Sequence, residues 1–510
     1  MFGRTTIWGA CAIGVCVVPA CQVIAGAQAP AQKKEGPRFV ELACSKPWGS
    51  AANVPDSAMR CGTVTVPQNR NAPNDSRLIN VVLPVVIYSL PGAKGTPMLF
   101  LSGGPGESSI DGVQKVFLRS TTGQMALRAR PIIAFDRRGF SPVFDRATPD
   151  LGTIVFRPQL ARSAVINELR DSLGRRSREL RNQGIEPSNF TTSEAVEDIA
   201  DVARALHLDK LVVFGASYGT HEALQFMSRH STMVEAAILD GVAPPNATKL
   251  LDSTYMATTG QAIVGRIVAD CHSDPVCASE FSDLPEVVAA LANSSRPLRK
   301  TVRLTPSGEW RTLEVSGQAV LSVLGIASAE DRVLANIPRA LAEFVAGDTL
   351  SGDIAPNVLI AAALDPSLQA ANKQTLPLVY WIALCGDRPQ GDPKSGDRQI
   401  CDAMSVEFEG KDAIARVKSD VPTLLISSGY DAQTPAELAD SAATTLTRHQ
   451  RVHFAQAGHV AFARPIVMAC VTIVVESFLR NPDQPPPGDC SANMTPAFNP
   501  RVTKQLTAKP

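Results

Sequence analysis

Short apolar runs alternate with amphipathic stretches over most of the chain. Each run is bounded by glycine, proline or polar residues, which is typical of buried strands that lead into loops. The amphipathic stretches repeat at about 3.6 residues, as in residues 192–208, where Thr192 or Ser193 is expected to cap a helix. The strands predicted in this way lie within residues 61–67, 77–90, 96–101, 130–136, 211–215, 236–241, 422–431 and 451–459, and the last two ranges include the start of the loop that follows the strand.

This alternation predicts an α/β fold, with a mostly parallel central sheet flanked by helices on both faces. The pattern stops between residues 245 and 415, where helical stretches surround one predicted hairpin at 301–315. We interpret this segment as a mainly helical cap, inserted so that it lies over the carboxyl ends of the strands. The predicted organisation is a first core part at 28–244, the cap at 245–415, a second core part at 416–485 and a C-terminal tail at 486–510.

The N-terminus has the features of an export signal. Residues 1–27 carry one charged side chain, Arg4, then an apolar run, and end in Ala25-Gly26-Ala27. This order predicts a cleaved signal peptide and a secreted, periplasmic or cell-envelope protein with no membrane span in the mature chain. An uncleaved membrane anchor is one alternative, because the run is long enough. A lipid anchor at Cys21, within "VPAC", is another.

The cysteines also indicate an oxidising compartment. Three of the eleven fall in the predicted signal, which leaves eight, an even number. No C-x-x-C occurs and the histidines show no ligand spacing, so we expect disulfides and no metal site. Pairing sequence neighbours joins Cys44 with Cys61, Cys271 with Cys277, Cys385 with Cys401, and Cys470 with Cys490.

The charge balance argues against nucleic acid as a partner. Lys+Arg and Asp+Glu number 49 each, and no basic stripe is present. The glycine loop "SGGPGE" is not followed by Lys-Ser or Lys-Thr, so a phosphate site is not expected there. The sequence implies no metal or organic cofactor, and the oligomeric state does not follow from it.

The segment "LVVFGASYGTHEAL", residues 211–224, supplies strand, tight turn and helix around a G-x-S-x-G motif. That order is the requirement for a nucleophile elbow, in which Ser217 occupies a strained turn flanked by small residues. Gly215 and Gly219 would let the helix and strand pack closely. The alternative is a Gly-Ser turn without a catalytic role.

A serine nucleophile needs a base and an orienting acid, which follow it along the chain in this kind of fold. Of the seven histidines, His459 alone lies in a loop just past the last predicted strand. Asp240 and Asp431 both end strands. Position favours Asp431, because it lies on a turn before a predicted helix that Thr434 or Pro435 could begin. We expect Asp240 to cap the start of the inserted segment instead.

The oxyanion of such a reaction needs two backbone donors. One is the N–H of Tyr218, which follows the nucleophile, and the other is expected from the loop after the third strand. Gly104, within "SGGPGE", is the candidate, because glycine lets the backbone approach a substrate closely.

Five motifs occur in a fixed order: "GGPG", "DRRGFS", "GASYG", "GYDAQTP" and "AGH". Over about residues 60–480 they resemble the α/β-hydrolase family of prolyl iminopeptidases and tripeptidyl aminopeptidases, and "CGTVTVP" with the late pair Cys470 and Cys490 resembles its secreted branch. The resemblance implies the α/β-hydrolase fold and an exo-acting aminopeptidase. It also implies a triad of Ser217, Asp431 and His459, an oxyanion hole of Gly104 and Tyr218, and structural support from Asp136 and Arg138.

The sequence departs from that family at Ser102, where prolyl iminopeptidases usually have histidine. Members hold the substrate amine with acidic residues, largely from the cap. Glu107 and Glu222 lie near the site in sequence, and we expect both to be solvated surface residues. From the motifs, we expect a serine hydrolase that acts on a small peptide or ester. The rival hypotheses are an esterase or lactonase with the same triad, and a binding protein on a hydrolase scaffold.

Overall fold

Nine of the described strands form one large sheet, which is mostly parallel. The computed structural model describes residues 36–44, 54–140, 162–250, 253–303, 310–346, 349–350, 378–389, 391, 395–487, 490 and 498. The strands of the large sheet are β1 Phe39–Leu42, β2 Met59–Val66, β3 Val81–Tyr88, β4 Met98–Leu101, β5 Ile132–Phe135, β6 Leu211–Ala216, β7 Val234–Asp240, β11 Thr423–Tyr430 and β12 His449–Gly458. These nine are hydrogen-bonded in the order β1-β2-β3-β5-β4-β6-β7-β11-β12. The pairs from β1 to β5 are antiparallel, and those from β5 to β12 are parallel.

Helices follow most of the parallel strands. One cap differs from prediction: Thr191, not Thr192 or Ser193, is the residue before the helix at Thr192–Ala205, and its hydroxyl bonds Glu409 instead of the helix backbone. The helices are α1 Ser109–Lys115, α2 Thr121–Ala129, α3 Arg162–Arg181, α4 Thr192–Ala205, α5 Tyr218–Arg229, α6 Ser253–Ser273, α7 Pro275–Glu280, α8 Leu284–Ala292, α9 Gly317–Ala327, α10 Asp331–Leu334, α11 Ile337–Ala346, α12 Leu378–Gly386, α13 Gly396–Met404, α14 Ala436–Ala443 and α15 Met468–Arg480.

The central strands are buried on both faces. In β6, Val213 packs into an apolar cluster with α3, α4 and α5, whereas Val212 and Phe214 pack into a second cluster with α1, α2 and α15. A strand covered on both sides has no polar face, which is why its sequence is continuously apolar rather than alternating. Packing against both faces therefore fixes the positions of the strand ends.

The segment between β7 and β11 contains two packing groups. Helices α6 to α11 surround a third apolar cluster, whereas α12 and α13 join the first cluster beside α3. A hairpin lies where one was predicted: β8 Leu298–Arg303 pairs antiparallel with β9 Trp310–Val315, and β10 Thr349–Leu350 pairs with β8. The cap boundaries at 245 and 415 remain a prediction.

The eight cysteines lie in the four predicted neighbour pairs. Their Cα–Cα separations are 5.2, 5.1, 5.6 and 5.8 Å, in chain order, which is the range of a disulfide. The predicted signal at 1–27, with Cys21, lies outside the described residues, as does most of the predicted tail. Within the described part of the chain, no helix combines the length and the apolarity needed to cross a bilayer.

Candidate active site

Ser217 lies at the turn between β6 and α5 in a strained backbone conformation. Its φ and ψ are 54° and −125°, in a region that residues with a side chain rarely adopt. Its N–H donates to the carbonyl oxygen of Asp240 at 2.9 Å, which ties the turn to the end of β7. The turn therefore projects the serine at the carboxyl edge of the sheet, as the motif predicts.

Glycine is required at the positions around Ser217 because neighbouring atoms lie too close to leave room for a side chain. A Cβ at Gly215 would lie 2.7 Å from the carbonyl oxygen of Gly219, and one at Gly219 would lie 2.2 Å from that of Leu101. Gly103, in the loop after β4, leaves room for the serine itself, because a Cβ there would be 2.9 Å from Ser217 Cβ. The glycine loop thus packs directly on the proposed nucleophile.

Asp431 and His459 meet across the ends of β11 and β12. His459 Nδ1 lies 2.8 Å from Asp431 Oδ2. Asp431 Oδ1 also accepts the N–H groups of Gln433 and Thr434, and the Thr434 hydroxyl donates to Oδ2 at 2.6 Å. The carboxylate is fully buried, so these donors hold it in one orientation toward the imidazole.

The two members of this pair shift each other's pKa. Burial alone would raise the pKa of Asp431, but the charge of His459 and the surrounding donors outweigh it, and the pKa is lowered. Burial alone would lower the pKa of His459, but the Asp431 carboxylate outweighs it and the pKa is raised. An imidazole oriented by an ionised carboxylate is the arrangement of a general base.

Asp240 does not cap the start of the inserted segment, so that expectation is wrong. Its carboxylate is buried and accepts the N–H groups of Ala461 at 2.9 Å and Phe462 at 2.8 Å, just beyond His459. It therefore supports the loop that carries the histidine. Burial raises the pKa of Asp240 to about 6, although the two backbone donors oppose that shift.

The turn that carries Ser217 and the loop that carries His459 both approach the end of β7, at Asp240 and the next residue, Gly241. Ser217 bonds the backbone of Asp240, and a Cβ at Gly241 would lie 3.2 Å from Cε1 of His459. The structure thereby brings the predicted serine, histidine and acid to one edge of the sheet. Among the described residues, no three His, Cys, Asp or Glu side chains are grouped to hold a metal.

The side chain of Tyr218 enters a buried polar network that sequence reasoning missed. Its hydroxyl bonds Asp387, and Thr192 Oγ1 lies 2.7 Å from the same hydroxyl. The ring stacks on His221 with centroids 4.9 Å apart. This network holds the first residue of α5, whose N–H is the predicted oxyanion donor. Asp387 lies far away in sequence, so no local pattern could have indicated it.

The two glutamates differ from each other, and only Glu222 departs from the expected surface position. Glu222 is buried on α5, 3.1 Å from a guanidinium nitrogen of Arg137, so its assignment as a solvated surface residue is wrong. Glu107 is exposed, but its side chain turns back over the glycine loop. A Cβ at Gly103 would lie 3.4 Å from Glu107 Oε2.

Asp136 and Arg138 anchor the loops around the site. Asp136 Oδ1 accepts a hydrogen bond from Ser108 at 2.7 Å, at the start of α1. Arg138 is fully buried and donates to both carboxylate oxygens of Asp198 at 2.7 and 2.6 Å. Both positions agree with the structural roles implied by the resemblance.

The sequence matches two hydrolase families, one on either side of the insertion. Residues 96–280, which include the glycine loop and Ser217, match the alpha/beta hydrolase fold family, and residues 390–491, which include Asp431 and His459, match the TAP-like protein family. This chain is an α/β-hydrolase. The prediction of the fold class and of the family is thereby confirmed.

Named relatives of this α/β-hydrolase are peptidases. The serine protease Hip1 of Mycobacterium tuberculosis is 26% identical over 53% of this chain and 52% of its own length. The tripeptidyl aminopeptidase of Streptomyces coelicolor is 24% identical over 68% of this chain and 62% of its own length. The chain thus spans about half to three fifths of the relatives it matches.

Solved structures that resemble the hydrolase include enzymes of several specificities. A proline iminopeptidase of Mycobacterium smegmatis is 13% identical and covers 82% of this chain and 98% of its own, with a TM-score of 0.39. This similarity is too low to carry an argument about the substrate.

Proposed function

We propose that this hydrolase is an exo-acting serine aminopeptidase that releases short N-terminal units from peptides. The observation that carries the proposal is the buried Asp431–His459 pair beside the strained Ser217 turn. Relatives named as a serine protease and a tripeptidyl aminopeptidase support a peptidase rather than another hydrolase.

In the proposed mechanism, Ser217 Oγ attacks the carbonyl carbon of the scissile amide, and His459 takes the hydroxyl proton. Asp431 orients the imidazole and stabilises its protonated form. The N–H groups of Tyr218 and Gly104 are proposed to bind the oxyanion. His459 then gives the proton to the leaving amine, and water attacks the acyl-enzyme by the same route in reverse.

We also propose that the enzyme acts outside the cytoplasm. The four cysteine pairs at disulfide distance support an oxidising compartment. The signal-like residues 1–27 support export.

The test is hydrolysis by the purified mature protein of prolyl, alanyl and tripeptidyl chromogenic amides, their N-blocked forms and short-chain esters. Ser217→Ala and the control Ser231→Ala, an exposed serine just after α5, are assayed beside it. We expect free-amine amides to be cleaved by wild type and by the control, and turnover to be lost in Ser217→Ala.

Turnover of esters alone would replace the aminopeptidase proposal with an esterase. No turnover by wild type on any substrate would favour the binding-protein hypothesis instead.

A further inference from the structure

One acidic side chain beside Ser217 has no assigned role. Glu107 follows the glycine loop, and its N–H closes the turn onto the carbonyl oxygen of Gly103 at 3.4 Å. Among the described residues, its carboxylate makes no ion pair and accepts no hydrogen bond. A carboxylate that is exposed and unpaired beside the nucleophile is available to a ligand.

The carboxylate lies on the same side of the loop as the nucleophile. The point where a Cβ of Gly103 would be is 3.3 Å from Ser217 Oγ and 3.4 Å from Glu107 Oε2. The two oxygens are therefore less than about 7 Å apart. Because position 103 has no side chain, nothing from this residue fills the gap between them.

The charge environment agrees with a role in binding a cation. Desolvation by neighbouring protein atoms raises the pKa of Glu107, while the charge of His459 opposes the shift. A cationic group of a substrate would relieve the cost of keeping this carboxylate ionised.

We propose that Glu107 binds the α-ammonium group of the substrate residue whose carbonyl Ser217 attacks, so that one residue is released per cycle. This rests on the proposed function, because only a substrate with a free N-terminus carries that group. Glu107 is then a specificity-determining residue within the oxyanion loop itself.

The length of the released unit follows from distances along a peptide. In the attacked residue, the α-nitrogen lies roughly 2.5 Å from the carbonyl carbon, and that carbon is roughly 3 Å from Oγ during attack. An ammonium so placed can reach a carboxylate oxygen that lies within about 7 Å of Oγ. The amine of an extended tripeptidyl unit would lie roughly 7 Å farther along the chain.

The experiment compares kcat/KM for alanyl, alanyl-alanyl and tri-alanyl p-nitroanilides, and for N-acetyl-alanyl p-nitroanilide. The proteins are wild type, Glu107→Gln, Glu107→Asp and Asp111→Asn. The last variant removes one exposed carboxylate from α1, four residues away. The readout is the ratio of kcat/KM for the free-amine alanyl amide to that for its acetylated form.

We expect wild type to prefer the single-residue amide. Glu107→Gln should lower the ratio by roughly 10- to 100-fold, which corresponds to the usual free-energy contribution of a charge-assisted hydrogen bond. Glu107→Asp should recover part of it, and Asp111→Asn should stay within about twofold of wild type.

Three results would overturn the inference. An equal loss on both alanyl substrates in Glu107→Gln would mean that the side chain acts through His459. A wild-type preference for the tri-alanyl amide would place the amine elsewhere while leaving the aminopeptidase proposal intact. If wild type cleaves esters but no free-amine amide, the proposed function itself fails, and the inference fails with it.

Discussion

Asp431 is a buried carboxylate with three hydrogen-bond donors besides the imidazole, two of them backbone N–H groups. A buried charge is costly unless it is paired, and here the pairing also determines which way the carboxylate faces. Its negative charge favours the protonated form of His459. The pKa of the proposed base, His459, is therefore raised by a side chain from a different strand end.

The acidic limb of the pH profile of kcat/KM reports the pKa of His459. The proposed mechanism needs neutral His459, and the pKa of His459 is raised above its ordinary value of 6.5. We expect kcat/KM to rise with pH through a midpoint above 6.5 in wild type. Asp240→Asn removes a second anion that raises this pKa, so the midpoint should move to lower pH. A wild-type midpoint at or below 6.5 would contradict the proposed pairing.

Thr434 offers a second test of the same carboxylate. Its hydroxyl donates to Asp431 Oδ2 at 2.6 Å and lies 3.1 Å from His459 Nδ1. We expect Thr434→Val to lower kcat/KM by roughly 10- to 100-fold, because a bond to a charged group is lost. Thr434→Ser keeps the hydroxyl and should stay within a few-fold of wild type. Equal activity of the two variants would exclude this role.

The turn between β6 and α5 depends on how closely strand and helix approach. Ser217 has a positive φ although it carries a side chain, and the packing of the glycines on either side holds it there. Gly219, in the first turn of the helix, passes so close to the carbonyl of Leu101 at the end of β4 that no side chain would fit there. The position of the serine therefore belongs to the whole strand–turn–helix unit.

Gly219→Ala should break this unit. The new Cβ would meet backbone at 2.2 Å, so β4 and α5 must separate, at a cost of about 3 kcal/mol or more in the free energy of unfolding. Gly265→Ala is the matched control, since its Cβ would point into open space on α6 and should stabilise the helix by roughly 0.5–1 kcal/mol. Thermal unfolding and activity of both variants check this, and a fully active, stable Gly219→Ala would refute it.

The insertion is attached to the core through β11 and β12. Arg266 of α6 donates to the carbonyl oxygens of Gly429 at 2.8 Å and Ala455 at 2.9 Å, and it lies over the ring of Tyr430. The Tyr430 hydroxyl in turn donates to Asp270, also on α6, at 2.5 Å. Since Asp431 follows Tyr430 directly, the position of the insertion and the geometry of the acid are linked.

Arg266→Met should loosen this attachment. It removes two hydrogen bonds from a charged donor, and we expect the free energy of unfolding to fall by about 2–4 kcal/mol. Limited proteolysis should then cut the segment 253–346 faster than in wild type. Arg480→Met is the control, because that side chain is 74% exposed and, among the residues that the structure describes, pairs only with Glu476 on its own helix. Equal cleavage rates in the two variants would contradict the link.

Much of this protein follows from its sequence, because local chemistry carries the information. Continuous apolar runs ending in polar loops predict buried parallel strands, and chain order together with strand ends selects Ser217 and His459 as candidates. The eight cysteines outside the predicted signal lie in the neighbour pairs expected from their spacing. The types of the long central elements and the order of the motifs are thus properties of the sequence alone, whereas the short strands β1 and β10 were not predicted from it.

Only the tertiary structure decided the contacts between residues far apart in the chain. The position of Asp240 at a strand end suits either an acid or a cap, and its contact with the backbone at 461 and 462 arises only because β7 and the histidine loop lie side by side. Burial of Glu222 depends on Arg137 from another strand end. The return of Glu107 toward Ser217 depends on how the glycine loop packs against the turn. The periodicity of side chains indicates which face of an element is buried. It does not indicate which polar group from a distant part of the chain will contact a residue on that face.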